Sequence, residues 1–207
     1  MKEVSIGAII LAAGMSKRMG KAKLLLSLNG KSVIHHTIAN ITKHSFSSII
    51  LITGQSATDI HKLMYRFPEI ETIFNPDYAH GMSTSLKCGI GHMDGEVDAV
   101  VIFLADQPLI STIVVQTMID TYLSENKNGI FIVRPKYQGV LGHPILIDKS
   151  IFHEFYTITG DIGGKHILEK YQDQVKTVHF ENRYWGKDID TPEDFAEIKR
   201  YLKDKKI

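Results

Sequence analysis

The sequence predicts an α/β fold in one domain over residues 1–207: a doubly wound, mostly parallel sheet with helices on both faces, Rossmann-like in outline. Three observations predict it. Short apolar runs alternate along the chain with segments of helical period. The runs are nearly continuously apolar, as strands buried on both faces read. Polar clusters follow directly on several of them, where open α/β sheets place their ligands.

Strands are predicted over residues 4–13, 48–53, 71–74, 99–104, 130–133, 144–147 and 175–180. Helices are predicted over residues 32–43, 58–66, 83–92, 112–125, 149–155, 164–171 and 191–203. The first strand is apolar from Ile6 to Ala13, broken only by Gly7. In the helix over 112–125, Val115, Met118, Ile119 and Tyr122 share one face, with Ser111 and Thr112 placed to cap it. The final helix opens on Thr191-Pro192 with Asp194 at the third position, a capped start, and puts Phe195, Ile198 and Leu202 on one face. Its basic end, from Lys199 to Lys206, favours the helix dipole and needs no partner. His35-His36 falls at the edge of a predicted helix, and Cys88 reads as packing.

At 207 residues, 43% hydrophobic and 23% charged, the chain has an ordinary globular composition and can bury a substantial core. A formal net charge of +1 argues against general nucleic-acid or membrane-surface binding. The single cysteine excludes an internal disulfide and any CxxC motif. No apolar stretch approaches the length of a membrane span, and the N-terminus lacks a signal pattern, so a cytoplasmic protein is expected.

The most informative segment is the exit of the first strand. Leu11, Ala12, Ala13 and Gly14 lead into a loop carrying Lys17, Arg18, Lys21 and Lys23. Small residues let backbone amides approach a ligand, and clustered cations face negative charge; a nucleoside triphosphate suits both. The loop is neither a P-loop nor a dinucleotide fingerprint. Gly14 and Gly20 are separated by five residues, Ala22 stands where a magnesium-binding hydroxyl would be, and Gly14 has no glycine two residues away.

Asp106 directly follows the most apolar strand, within Leu104-Ala105-Asp106-Gln107-Pro108, and is placed to carry a hard cation. The helix cap explains residues 191–194 but leaves Asp188 and Asp190 over; Asp190 is the preferred second metal carboxylate and Asp188 the reserve. Gly81-Met82-Ser83-Thr84-Ser85 opens a helix, as a cap or as a phosphate or sugar site. His143, in Gly142-His143-Pro144, faces a ligand or is structural, and the Gly160–Lys165 stretch suits a closing loop.

Together these motifs resemble the MobA-like nucleotidyltransferases. The stretch from Leu11 to Lys23 matches their signature loop. Leu104–Pro108, Gly81-Met82-Ser83-x-Ser85-Leu86, Gly142-His143-Pro144, Gly160-Asp161-x-Gly163 and Asp188–Pro192 resemble the molybdenum cofactor cytidylyltransferase branch with its purine-catabolism relatives. Leu11-Ala12-Ala13-Gly14 is similar to the CTP-using members, whereas guanylyl-transferring ones carry Leu-Ala-Gly-Gly. Gly164-Lys165 departs from the Ala-Arg of many relatives.

The resemblance implies a Mg2+-dependent enzyme that moves CMP from CTP to molybdenum cofactor, with a molybdenum hydroxylase as eventual recipient. It implies Leu11, Ala12, Ala13, Gly14, Lys23 and Thr53 as nucleotide-binding residues, and Arg18, Lys23 and Asp106 as catalytic. Asp106 and Asp190 would hold the metal; Gly81, Ser83, Ser85, His143 and Lys165 would face the second substrate. The alternatives are a nucleotidyltransferase acting on a sugar or polyol phosphate and a nucleotide-binding chaperone that delivers cofactor.

Overall fold

The computed structural model describes residues 4–20, 22–160 and 164–205. Its strands are β1 (Ile6–Ala12), β2 (Ser27–Leu28), β3 (Lys31–Ser32), β4 (Ile49–Thr53), β5 (Ile70–Phe74), β6 (Ala99–Leu104), β7 (Ile132–Tyr137), β8 (Val140–Leu141), β9 (Ile145–Asp148) and β10 (Val175–Phe180). Its α-helices are α1 (Val33–Ile41), α2 (Ala57–His61), α3 (Met82–Met93), α4 (Thr112–Glu125), α5 (Phe152–Phe155), α6 (Lys165–Lys170) and α7 (Pro192–Asp204).

The main sheet runs β10-β7-β9-β6-β1-β4-β5, with β8 paired to β7. Neighbouring strands are parallel except at β9, which is antiparallel to both β6 and β7, and at β8, which is antiparallel to β7. The mostly parallel, helix-covered sheet is therefore the predicted one. In-out alternation splits the core in two. Ala8, Ile10, Leu51, Val101 and Phe103 pack with buried residues of α1, α4 and α7 on one face. Ile9, Ile50, Ile52, Val100 and Ile102 pack with those of α3, α5 and α6 on the other. Removing either layer would expose an apolar sheet face, so both helical layers are obligatory. Gly89 lets α3 approach the sheet closely: an added Cβ there would lie 2.7 Å from Ile9 Cγ2.

Several expectations shift in detail. The helix expected over 58–66 ends at His61 and resumes as a 3₁₀ turn, Met64–Arg66. The one expected over 149–155 splits into a 3₁₀ turn, Lys149–Ile151, and the four-residue α5. The strand expected over 130–133 extends to Tyr137 through Pro135. That proline is tolerated because it lies between the Ile132–Val133 pairing with β9 and the Lys136–Tyr137 pairing with β8. The β2–β3 hairpin was not anticipated, although Asn29-Gly30, with φ of 49° and 80°, is a strong two-residue hairpin signal. Helix α7 has the full capping box: Thr191 Oγ1 accepts from Asp194 N at 3.2 Å, and Asp194 Oδ2 accepts from Thr191 N at 2.9 Å.

Candidate active site

Parallel pairing of β1 with β4 and β6 brings three strand ends to one edge, and the loop after β1 leaves from its centre. That loop is tightly wound: Ser16 is left-handed at φ 50° and Gly20 at φ 65°. A non-glycine residue there costs on the order of 1–3 kcal/mol, which the surrounding structure must offset. Met19 and Leu24 are buried and anchor the loop, and Lys23 opens a 3₁₀ turn, Lys23–Leu25. Ala105 N donates to Leu11 O at 3.1 Å, so the chain after β6 is held against β1.

The far segment is stitched on by hydrogen bonds. Ile189, fully buried, donates its N–H to Asp106 O at 3.1 Å. Gln107 Nε2 donates to Gly186 O at 3.0 Å and to Asp188 Oδ1 at 2.5 Å. Asp190 N donates to the capping Asp194 at 3.3 Å, so the start of α7 helps aim the carboxylate beside it.

At the meeting point Lys23 Nζ donates to Asp106 Oδ2 and, at 2.8 Å, to Asp190 Oδ1; Arg18 holds Asp190 Oδ2 at 2.8 Å. Side-chain exposure is 12% for Lys23 and 15% for Asp106, but 69% for Arg18, so the pair lies inside and the arginine at the mouth. Asp106 Oδ1 is buried and has no hydrogen-bond partner. Burial lifts the Asp106 carboxyl above its ordinary range, and the Lys23 ammonium opposes that. Burial alone would lower Lys23, yet Asp106 and Asp190 more than offset it, and Lys23 is raised and keeps its proton. Asp188 is pushed up to about 6, by burial first and then by the charge of Asp106, against the hydrogen bond from Gln107.

These groups line a cleft of about 550 Å³ together with Leu11, Ala12, Ala13, Gly14, Tyr78, Gly81 and Ser85. Gly14 faces open space: a Cβ there would meet nothing within 4 Å. At Gly54 a Cβ would lie 2.7 Å from the Tyr78 ring and 2.8 Å from Ala13 O, so the absent side chain lets Tyr78 close that wall. Buried Asn75 organises the start of α3, donating to Thr84 Oγ1 at 2.9 Å and Ser85 Oγ at 3.0 Å.

Ten of the expected residues thus share one cleft: Leu11, Ala12, Ala13, Gly14, Arg18, Lys23, Gly81, Ser85, Asp106 and Asp190. Four do not line it. Thr53 is buried and its hydroxyl donates to Ile73 O at 3.2 Å, a bond to the neighbouring strand. Ser83 is buried in the packing of α3. Lys165 lies on the surface, 3.8 Å from Glu169. His143 precedes a cis proline beyond the cleft lining; burial, then Arg134, lowers it to about 4, so it is neutral near pH 7. Lys21, Asp161 and Gly163 lie outside the described residues. Met15, Ser16, Leu24, Tyr78, Met82, Leu104 and Asp188 complete the lining. The two acids of Asp188 and Asp190 were visible as a pair, whereas Tyr78 follows Asn75-Pro76-Asp77 with no local sign of its placement.

The donor set fits a divalent ion shared with a nucleotide. Asp106 offers an orphaned buried oxygen, and Asp190 lies across Lys23 from it. Among the described residues no three His, Cys, Asp or Glu side chains gather as a cage. Two carboxylates, with phosphate oxygens and water completing the shell, suit magnesium. None of the described helices is long and apolar enough to cross a membrane.

Comparison with known proteins finds relatives over nearly the whole chain. The chain is 29% identical over 195 residues to the molybdenum cofactor cytidylyltransferase of Escherichia coli K12, covering 94% of this chain and 96% of that protein. It is 24% identical over 217 residues to the purine catabolism protein PucB of Bacillus subtilis 168, covering 98% and 100%. The crystal structure of Rv0371c from Mycobacterium tuberculosis H37Rv has the same fold, with a TM-score of 0.83, 22% identity, and coverage of 95% of this chain and 98% of that one. Residues 8–175 match the MobA-like NTP transferase domain, and the chain belongs to that family of nucleotidyltransferases.

Proposed function

We propose that the protein transfers CMP from CTP to the terminal phosphate of molybdopterin-bound molybdenum, releasing pyrophosphate. The observation that carries this reading is the convergence of Lys23, Asp106 and Asp190 beside the Ala12–Gly14 strand exit. The full-length likeness to the Escherichia coli cytidylyltransferase supports the choice of substrates. In this reading the acceptor's phosphate oxygen attacks the α-phosphorus in line, a new P–O bond forms, and the bond to the β-phosphate breaks. The protein contributes positioning and charge neutralisation. Amides at Ala13 and Gly14 cradle the triphosphate. Lys23, deep in the cleft, and Arg18, at its mouth, neutralise charge on the phosphates as it moves from acceptor to leaving group. Asp106 and Asp190 would hold Mg2+, which when bound would supply neutralisation of phosphate charge. Ser85 and Gly81 form the wall beside the nucleotide.

The test is pyrophosphate release with each nucleotide in the presence and absence of molybdenum cofactor, with the product identified by mass spectrometry. Release that needs both CTP and the cofactor supports the proposal. Consumption of GTP instead would overturn the base, release with a sugar or polyol phosphate would overturn the acceptor, and CTP binding with no turnover would make the protein a carrier.

A further inference from the structure

Lys23 does two things that cannot be done at once. For catalysis it must face phosphates; here its ammonium sits between Asp106 and Asp190, bonded to one oxygen of each. That position, between two carboxylates and mostly withdrawn from water, is where a divalent ion shared by the same acids would go. Arg18 occupies the remaining oxygen of Asp190 at 2.8 Å. Three of the four carboxylate oxygens are therefore engaged by cations, and the fourth, Asp106 Oδ1, is buried without a partner.

From this arrangement we infer that Lys23 is a gate on the cation site: without nucleotide it stands in for the metal, and the triphosphate opens the site by drawing Lys23 and Arg18 onto its phosphates. The ion then enters with or after the nucleotide, never before it. The physical reason is charge balance. Two adjoining carboxylates, one of them largely buried, are unfavourable without a cation, and a built-in ammonium relieves this at no cost in translational entropy. Incoming phosphates compete for the same ammonium and release the acids at the moment when phosphate oxygens become available as further ligands for the ion. Such a gate keeps the empty protein from holding a metal ion in a form unable to react. The inference rests on the proposed nucleotide transfer for the identity of the opening ligand. The gate itself is tested without any nucleotide, so the two can fail separately.

The experiment is a titration of the nucleotide-free protein with Mn2+, with the free ion followed by electron paramagnetic resonance. Wild type should bind weakly. Lys23→Met should bind at least about tenfold more tightly, the scale of breaking hydrogen bonds between charged groups. Lys23→Arg should stay weak, since a guanidinium still fills the gap. Arg18→Met should gain far less than Lys23→Met, and adding Asp106→Asn to Lys23→Met should abolish the gain. If Lys23→Met does not fold, Lys23→Gln gives the same readout, and the rise in melting temperature on adding Mn2+ gives an independent one. Wild type binding Mn2+ as tightly as Lys23→Met would overturn the gate. An equal gain in Arg18→Met would reduce it to general electrostatics, and a gain that survives Asp106→Asn would place the ion elsewhere; either result overturns it.

Discussion

Strand β6 has an aspartate at each end, and each aspartate is bonded to a lysine, yet the two pairs differ in every other respect. Before the strand, Asp98 takes Lys149, whose side chain is 57% exposed, and also accepts the N–H of Ser5 at 3.1 Å. Lys149 N donates to Asp98 O at 3.0 Å, so this end fastens the start of the sheet to the chain after β9. After the strand, Asp106 takes Lys23 in a cleft, shares it with a second acid, and keeps one buried oxygen without a partner. The same residue types make a fastener where water screens them. Where burial withholds water and a second carboxylate competes for the cation, they make a poised site. An incompletely satisfied polar cluster in a cleft has free capacity for a ligand, and a satisfied surface pair has none.

The sharpest way to break this comparison is to remove each lysine in turn. Lys23→Met leaves Asp106 buried beside Asp190 with no internal cation, and should destabilise the nucleotide-free protein by about 3–5 kcal/mol. Lys149→Met should leave the melting temperature close to wild type. Equal effects in calorimetry would mean that burial does not distinguish the two ends. Next in size is Asp106→Asn, expected to lower pyrophosphate release by about 10²–10³-fold, the scale of losing one preorganised electrostatic partner, while the fold persists. Asp98→Asn should leave turnover near normal. Near-normal turnover in Asp106→Asn would remove that residue from the mechanism.

A third measurement concerns His143, whose pKa is lowered to about 4 by burial and then by Arg134. A histidine held neutral favours the folded state above its ordinary value of 6.5, and that contribution is lost as pH falls from about 6.5 towards 4. Wild type should therefore lose up to about 3 kcal/mol over that window relative to His143→Gln, by urea unfolding at each pH. Parallel pH profiles for the two proteins would show that His143 is not held neutral by the fold. The smallest effect is expected at Gly14, where an added Cβ meets nothing within 4 Å. Gly14→Ala should leave the melting temperature unchanged but weaken CTP binding by about tenfold through crowding of the phosphates, about 1.4 kcal/mol by calorimetric titration. Unaltered affinity would mean that the strand-exit amides do not carry the triphosphate.

Much of this was legible in the residues. The buried strands read as apolar because both of their faces are covered, and α7 announced itself through Thr191, Pro192 and Asp194. The loop after Ala13 stood out by gathering small residues and cations, and it lines the cleft. Less was legible where local signals mislead. Thr53 ends a strand at the correct edge, but its hydroxyl turns to Ile73 O. Ser83 looked like a ligand group at a helix start and is instead packed inward. Lys165 kept its charge on the surface, paired with Glu169.

The sequence by itself determined the alternation of elements, the identity of the acids and cations, and the helix caps, because each depends on neighbours within a few turns of chain. Only the tertiary structure decided that Lys23 meets Asp106 and Asp190, 83 and 167 residues away. It also decided that Tyr78 closes a wall and that Asp188 is buried against Gln107. Strand order and register set those meetings, and periodicity carries no information about which strand lies beside which. The unpartnered oxygen of Asp106 is a property of the assembled cleft alone: burial and competition among charges arise only when distant segments have excluded water together.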